Sequence, residues 1–427
     1  MARIAVVGSG ISGLACAALL RQSHDVILYE SETRPGGHSR TLHIPGALGS
    51  TAVDTGFIVY NEINYPLLTK MFAAYEIATK PSDMSFGVRY GDGDLEFCAS
   101  SLSGLFAQKK NAFSPRYLKM LADIVTFFRK ARGVLDDTQN PSLGEFIDSL
   151  RLGSWFRDRF LVPMGAAIWS TPPDRMMHFP AKTFVRFFDN HGLLSISGHH
   201  PWRTVVGGSE QYVKKISEQF GSRLRVASPV VRVEKSGQWF EVRTKGGHSD
   251  AFDEVVFASH ADASLAMIAD PTAEERAILG AFTFTDNTAV LHRDDRLMPR
   301  AKAAWASWVY AAGSPKPGGP DTCGPNPGRQ VSLTYWMNRL QSLPGENLFV
   351  SLNPDRPVAD RHFLDRYIFR HPVFTPEAVA AQDKIPSIQG ARGLWFCGAW
   401  QRNGFHEDGL WSAVRVAEAK GVAVPWK

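Results

Sequence analysis

Short unbroken apolar runs open the chain, and stretches of helical spacing separate them. Residues 4–7 (Ile-Ala-Val-Val) and 26–29 (Val-Ile-Leu-Tyr) read as buried strands, and residues 14–21 between them as a helix. A further helix is expected to about Tyr75, and residues 84–98 read as strands around a Gly91-Asp92-Gly93-Asp94 hairpin signal. Pro141-Ser142-Leu143-Gly144-Glu145 carries a capping-box start. From Gly207-Gly208-Ser209 a helix runs through Ile216. Strands follow at 224–233, 239–242 and 254–258. Residues 286–384 read as mixed strands and loops, with Thr334 to Arg339 an aromatic strand or turn and the Pro/Gly-rich 315–327 a surface loop holding Cys323. An apolar strand near 394–397 and a helix from about Gly409 to Ala419 close the pattern, which is that of an α/β protein.

Two regions break the rhythm. Over residues 102–128, apolar Leu105, Tyr117, Leu121, Ile124 and Phe128 interleave with Lys109, Lys110, Arg116 and Lys119. That pattern fits a core-facing helix with a solvated charged side, or a helix lying on a membrane surface. Phe156, Phe160, Met164, Met176, Phe184, Phe187 and Phe188 then form an aromatic and methionine-rich region suited to an apolar pocket.

Composition narrows the class. With 44% hydrophobic and 21% charged residues, the 427-residue chain is an ordinary globular one, long enough for two domains. A net charge of +5 gives no strong electrostatic support for nucleic-acid binding and leaves room for anionic lipid. The four cysteines, Cys16, Cys98, Cys323 and Cys397, lack metal-ligand spacing, and His199-His200 has no third ligand, so no metal site is expected. Reduced thiols, a first strand starting at the third residue and no apolar run of ~18 residues point to a cytoplasmic protein, at most peripheral on the inner face of the membrane.

The chemistry begins at Gly8-Ser9-Gly10-Ile11-Ser12-Gly13. Gly8 permits a tight turn, Gly10 lets the backbone approach a pyrophosphate, Gly13 lets the helix pack on the strand, and the helix start offers free N–H groups at Ile11 and Ser12. Glu30 ends the second strand where a carboxylate accepts ribose hydroxyls and repels a 2'-phosphate. One such fingerprint occurs; the Gly91 turn lacks the third glycine of a second. Then come Ser31, Arg34, Gly36, Gly37, His38 and Thr41, followed by Asp54-Thr55-Gly56-Phe57. This sequence resembles the flavin-containing amine oxidase superfamily, with His38 where the commoner members carry arginine. The resemblance covers almost the whole chain. It implies a Rossmann-like FAD-binding domain from 1–75, 205–285 and 386–427, and a discontinuous α+β substrate domain from 76–204 and 286–385. It also places Val230 against the adenine.

The second flavin motif is Gly398-Ala399-Trp400, a polar loop, and Gly409-Leu410 at a helix start whose dipole favours negative charge on a reduced flavin. The resemblance assigns the backbone contact to Leu410. Departures count against amine oxidation: Asn287 stands where a lysine is usual, and Gly409 where a cage tyrosine would be. The remaining detail is similar to a subgroup found beside lipid methyltransferases and in methyl-branched and furan fatty-acid synthesis. It implies an FAD-dependent desaturase or dehydrogenase that transfers hydride from a phospholipid acyl chain to flavin N5. His371, His406, Glu407 and Asp408 are then the candidates for proton handling. Tyr60, Asn287 and Tyr335 are candidates for the pocket wall. An amine oxidase, a flavin-dependent fatty-acid isomerase and an FAD-free lipid escort protein are the alternatives. Oligomeric state is left open.

Overall fold

The first apolar run forms strand Arg3–Val7 in the computed structural model, which describes residues 1–46, 49–169, 173–194, 200–312 and 332–427. This strand is the middle of a five-stranded parallel sheet in the order Leu224–Arg225, Asp25–Tyr29, Arg3–Val7, Glu254–Phe257, Leu394–Phe396. Both faces of the sheet are covered, which is why its strands are unbroken apolar runs. Ile4 and Val6 face a core built on helices Ile11–Leu20 and His406–Ala419, while Ala5 and Val7 face a second core with Phe240, Phe252 and Trp400. A three-stranded antiparallel sheet, Val230–Ser236, Trp239–Thr244 and Ser249–Phe252, supplies part of that second cover.

A seven-stranded sheet forms the other half of the molecule. Its order is Phe363–Val373, Thr283–His292, Phe349–Leu352, Ser332–Trp336, Trp308–Ala312, Phe86–Tyr90, Leu95–Cys98. The Gly91 to Asp94 turn joins the last two strands as an antiparallel hairpin, and Met337–Leu340 continues the aromatic strand as a short helix. The Ser142–Glu145 capping box is present at the start of Leu143–Ser149. Helix Pro115–Lys130 turns Tyr117, Met120, Ile124 and Phe127 into the large core and leaves Arg129 and Lys130 exposed. Phe156, Phe160, Phe184 and Phe188 are also buried there. No described helix is long and apolar enough to cross a membrane. The expected loop at 315–327 with Cys323, and His199, lie outside the described residues.

Candidate functional site

At the carboxyl ends of the parallel strands the backbone itself makes a cradle. Gly8 turns at φ +104°, which side chains rarely adopt, and a Cβ on Gly13 would stand 1.8 Å from the Gly8 carbonyl oxygen. Only glycine lets the helix start so close to the turn. No side chain caps Ile11–Leu20 at Gly10, so its first N–H groups are left for a ligand, and a Cβ on Gly10 would meet no protein atom within 4 Å. Glu30 is held ready for a ribose. One carboxylate oxygen accepts from the Ser9 N–H and hydroxyl, at 3.0 and 2.5 Å, and the other from the Glu32 N–H at 2.9 Å and the Ser31 hydroxyl at 3.1 Å. The cradle thus fits a dinucleotide with an unphosphorylated ribose.

One cavity of about 1160 Å³ runs from this cradle into the other half of the molecule. Its polar end is walled by Gly8, Gly10, Ile11, Ser12, Glu30, Ser31, Arg34, Gly36, Gly37, His38, Thr55, Gly56, Phe57, Gly398 and Ala399. The apolar arm is lined by the Pro115–Lys130 helix through Leu121, Val125 and Phe128, and by Phe160, Met164 and Tyr335 among others.

Several expected residues lie elsewhere. Gly13 sits behind the cradle as a packing residue. Thr41 donates to buried Asp54 at 2.6 Å and accepts from the Glu210 N–H, so it fastens the Thr41–Gly46 strand rather than a ligand. Val230 opens the antiparallel sheet away from the cavity wall; the Ser228 N–H meets the Glu30 carbonyl instead. The C-terminal helix starts at His406, three residues before the expected Gly409, because the Asp408 carboxylate accepts the Asn403 and Phe405 N–H groups. Gly409 and Leu410 are therefore inside the helix and buried. A Cβ on Gly409 would meet Ser12 Oγ at 2.7 Å, so this glycine serves the crossing of two helices.

The proton-handling candidates sort in the same way. Glu407 accepts from the Leu67 and Leu68 N–H groups at 2.9 and 3.0 Å, capping helix Pro66–Ala74, and Asp408 caps its own helix. Burial raises both carboxyls, Asp408 to about 6. Tyr60 is buried against Tyr65 and Phe72, off the cavity. His406 does reach the wall, stacked on Phe57 with ring centroids 3.8 Å apart, but its Nε2 is shared with Ser39 Oγ and the Tyr212 hydroxyl.

His371 is also on the wall, and a chain of amides fixes its protons. The Thr288 N–H donates to Asn353 Oδ1 at 2.8 Å, which points Asn353 Nδ2 at Asn287 Oδ1 (2.7 Å) and Asn287 Nδ2 at His371 Nδ1 (3.0 Å). A backbone donor anchors the chain, so Nδ1 of His371 is an acceptor and Nε2 carries the hydrogen. His371 is thus a hydrogen-bond donor to the cavity rather than the expected proton acceptor. Asn287 stands behind it, off the wall.

His38 and His260 complete an imidazole cluster, with His38 ring centroids 5.3 Å from His371 and 6.3 Å from His260. His260 lies three residues past the end of the Glu254–Phe257 strand, in the position where open α/β sheets place ligands, and that spacing could have singled it out. Glu32, bonded by the Tyr367 hydroxyl, is a second wall residue that sequence reasoning missed. Burial first, and neighbouring imidazoles second, hold His38 well below the ordinary histidine range. Burial depresses His260 and His371 to about 4 and His406 to about 3. All are neutral at pH 7.

These shifts set the acid limit of stability. A histidine with a lowered folded pKa binds its proton more readily when unfolded, so stability is lost as pH falls from ~6.5 through about 4. Asp54 and Asp408, raised by burial to about 6, work in the opposite sense between about 6 and 3.8. With His191 and His292, also depressed by burial to about 4, six such imidazoles stand against three raised carboxyls, Asp54, Asp408 and Glu407, and the balance is a net loss. The melting temperature is expected to drop on going from pH 6.5 to 4.5, and to drop less in His406→Phe, as followed by flavin fluorescence during heating.

The likenesses to known proteins agree with the cradle. The flavin containing amine oxidoreductase family matches residues 11–302. A Mycobacterium tuberculosis protein named as a flavin-containing monoamine oxidase, AofH, is 27% identical over 274 residues, covering 58% of this chain and 55% of its own. The chain thus spans about half the length of the curated relatives it matches. Among solved structures, a putrescine oxidase variant (14% identity, TM-score 0.67, 98% of both chains) has a similar fold. So do cyclohexylamine oxidase from Brevibacterium oxydans (14%, 0.67, 98% of this chain and 99% of that one) and a fatty acid isomerase from P. acnes that produces CLA (13%, 0.66, 98% of both). With more than half of its length matched by the family and a cradle shaped for a dinucleotide, the chain belongs to the flavin containing amine oxidoreductases, and its cofactor is FAD.

Proposed function

We propose that the protein is an FAD-dependent oxidoreductase that dehydrogenates a long apolar substrate, a methyl-branched unsaturated acyl chain of a phospholipid. The observation that carries this reading is the apolar arm, continuous with the cofactor cradle and walled by aromatic and methionine side chains. FAD, when bound, accepts two electrons and one hydrogen from a substrate C–H bond and passes them to dioxygen or another oxidant. The chain's own residues do the rest. Leu121, Val125, Phe128 and Phe160 hold the acyl chain and exclude water. Losing hydride leaves the acyl chain electron-poor, so the proton on the adjacent carbon is acidic and a weak base suffices to close the new double bond. Neutral His38 or His260 takes that proton. The Nε2 hydrogen of His371 is directed to an oxygen acceptor of the substrate.

The same groups speak against an amine. An ammonium is held best beside a carboxylate, and the inner wall next to the cradle offers neutral imidazoles. Among wall carboxylates, Glu30 belongs to the ribose end of the cradle, Glu32 is engaged by the Tyr367 hydroxyl and Arg34, and Asp83 by Ser85, Ser307 and Arg339.

The test is the visible spectrum of the anaerobic holoprotein before and after adding substrate. Phospholipids with methyl-branched unsaturated chains are expected to bleach the flavin, whereas putrescine and cyclohexylamine leave it oxidised. Bleaching by amines alone would overturn the reading. Double-bond migration in recovered lipid without bleaching would replace it with isomerisation.

A further inference from the structure

Residues 101–120 contain four basic side chains, Lys109, Lys110, Arg116 and Lys119, and no aspartate or glutamate. The same segment leaves large apolar side chains in water: Leu102 is 77% exposed, Phe113 87% and Leu118 44%. Isolated exposed apolar groups are common, but three on one short segment beside the exposed Lys109 and Lys110 are not; Lys119 is paired with Asp123 at 2.9 Å. The segment is held rigidly. Ser114 caps helix Pro115–Lys130 through the Tyr117 N–H, the Tyr117 hydroxyl donates to the Leu105 carbonyl at 2.6 Å, and Gln108 bonds the Glu96 N–H and the Gly93 carbonyl. It also adjoins the cavity: Ala99, Ser100 and Leu105 line the apolar arm, as does Leu121, one turn along the helix from Leu118.

We infer that this face seats the protein on an anionic lipid bilayer, with Leu102, Phe113 and Leu118 entering the interface, Lys109 and Lys110 meeting lipid headgroups, and the apolar arm opening beside it. Apolar insertion and charge attraction together give reversible attachment without a spanning helix. As the source of the acyl chain, the bilayer deepens the proposed function and in that respect rests on it. Attachment itself is measurable without turnover, so the two can fail separately.

The experiment is co-sedimentation of the full-length holoprotein with vesicles of phosphatidylcholine alone or mixed with phosphatidylglycerol. Wild type is expected to bind the mixed vesicles and to be released by high salt. Phe113→Asp/Leu118→Asp should weaken partitioning by about tenfold or more. Lys109→Glu/Lys110→Glu should weaken it by about thirtyfold. These positions are exposed, so flavin content and melting temperature should match wild type. Failure of wild type to bind the mixed vesicles would overturn the inference, as would binding unchanged in both variants.

Discussion

Gly13→Ala is expected to yield protein without flavin, with melting lowered or folding lost. The new Cβ would lie 1.8 Å from the Gly8 carbonyl oxygen, 2.9 Å from its carbon and 3.0 Å from Ala258 Cβ. Neither side has room to give. The Gly8 N–H is bonded to the Tyr29 carbonyl at 2.8 Å and Ala258 to the Val7 carbonyl at 2.8 Å, so the turn is tied into two sheet strands. Relief means displacing the start of helix Ile11–Leu20, the surface on which a pyrophosphate rests. Overpacking of this kind costs about 1–3 kcal/mol or more, and the displaced N–H groups add a loss of FAD affinity of about a hundredfold or more. Gly10→Ala separates the two effects. Its Cβ meets no protein atom within 4 Å, so the apoprotein should melt like wild type while FAD affinity still falls. Flavin absorbance per protein and apoprotein melting curves check both, and a Gly13→Ala protein with a full complement of FAD would contradict this account of the turn.

His371→Ala is expected to lower turnover on the acyl substrate by about a hundredfold, the range for losing a positioned hydrogen-bond donor. Asn287→Ala should cost about tenfold, because Asn287 acts through His371 as a positioning residue. A merely structural asparagine would be separable by the pH profile. Burial sets the His371 pKa at about 4; Asn287, donating to Nδ1, also favours the neutral ring, so its removal should move that pKa upward and the acid limb of the turnover profile with it. Asn353→Ala, one step further back, should shift it in the same direction. In the His371→Ala background, Asn287→Ala should have little further effect. Additive losses with an unmoved acid limb would dissolve the relay.

The cradle was legible in the sequence because it is made of backbone. Glycines at fixed spacing and an acidic strand end leave no other use for those residue types, and Gly8, Gly10, Glu30, Gly36 and Gly37 lie where that logic puts them. The α/β fold followed from runs too apolar for one exposed face. What escaped was side-chain direction over long sequence separations. Glu407 caps a helix 340 positions away, and His406 stacks on Phe57, neither of which local spacing encodes. The expected helix start at Gly409 failed because a glycine signal outweighed Asp408, whose carboxylate begins the helix earlier. Asn287, read as a wall residue, faces its partners across two neighbouring strands, a register that only the folded sheet creates.

The parallel sheet also carries a consequence for how the protein is made. Its middle strand is synthesised first and its edge strand Leu394–Phe396 last, paired to Glu254–Phe257. Ribosomes add about 5–20 residues per second, so the glycine turn waits tens of seconds before the strand and C-terminal helix that complete its surroundings leave the exit tunnel. During that interval one edge of an almost wholly apolar sheet is open to any other strand. Yield in a foreign host should therefore depend on chaperone supply and on the pace of translation more than on the availability of riboflavin.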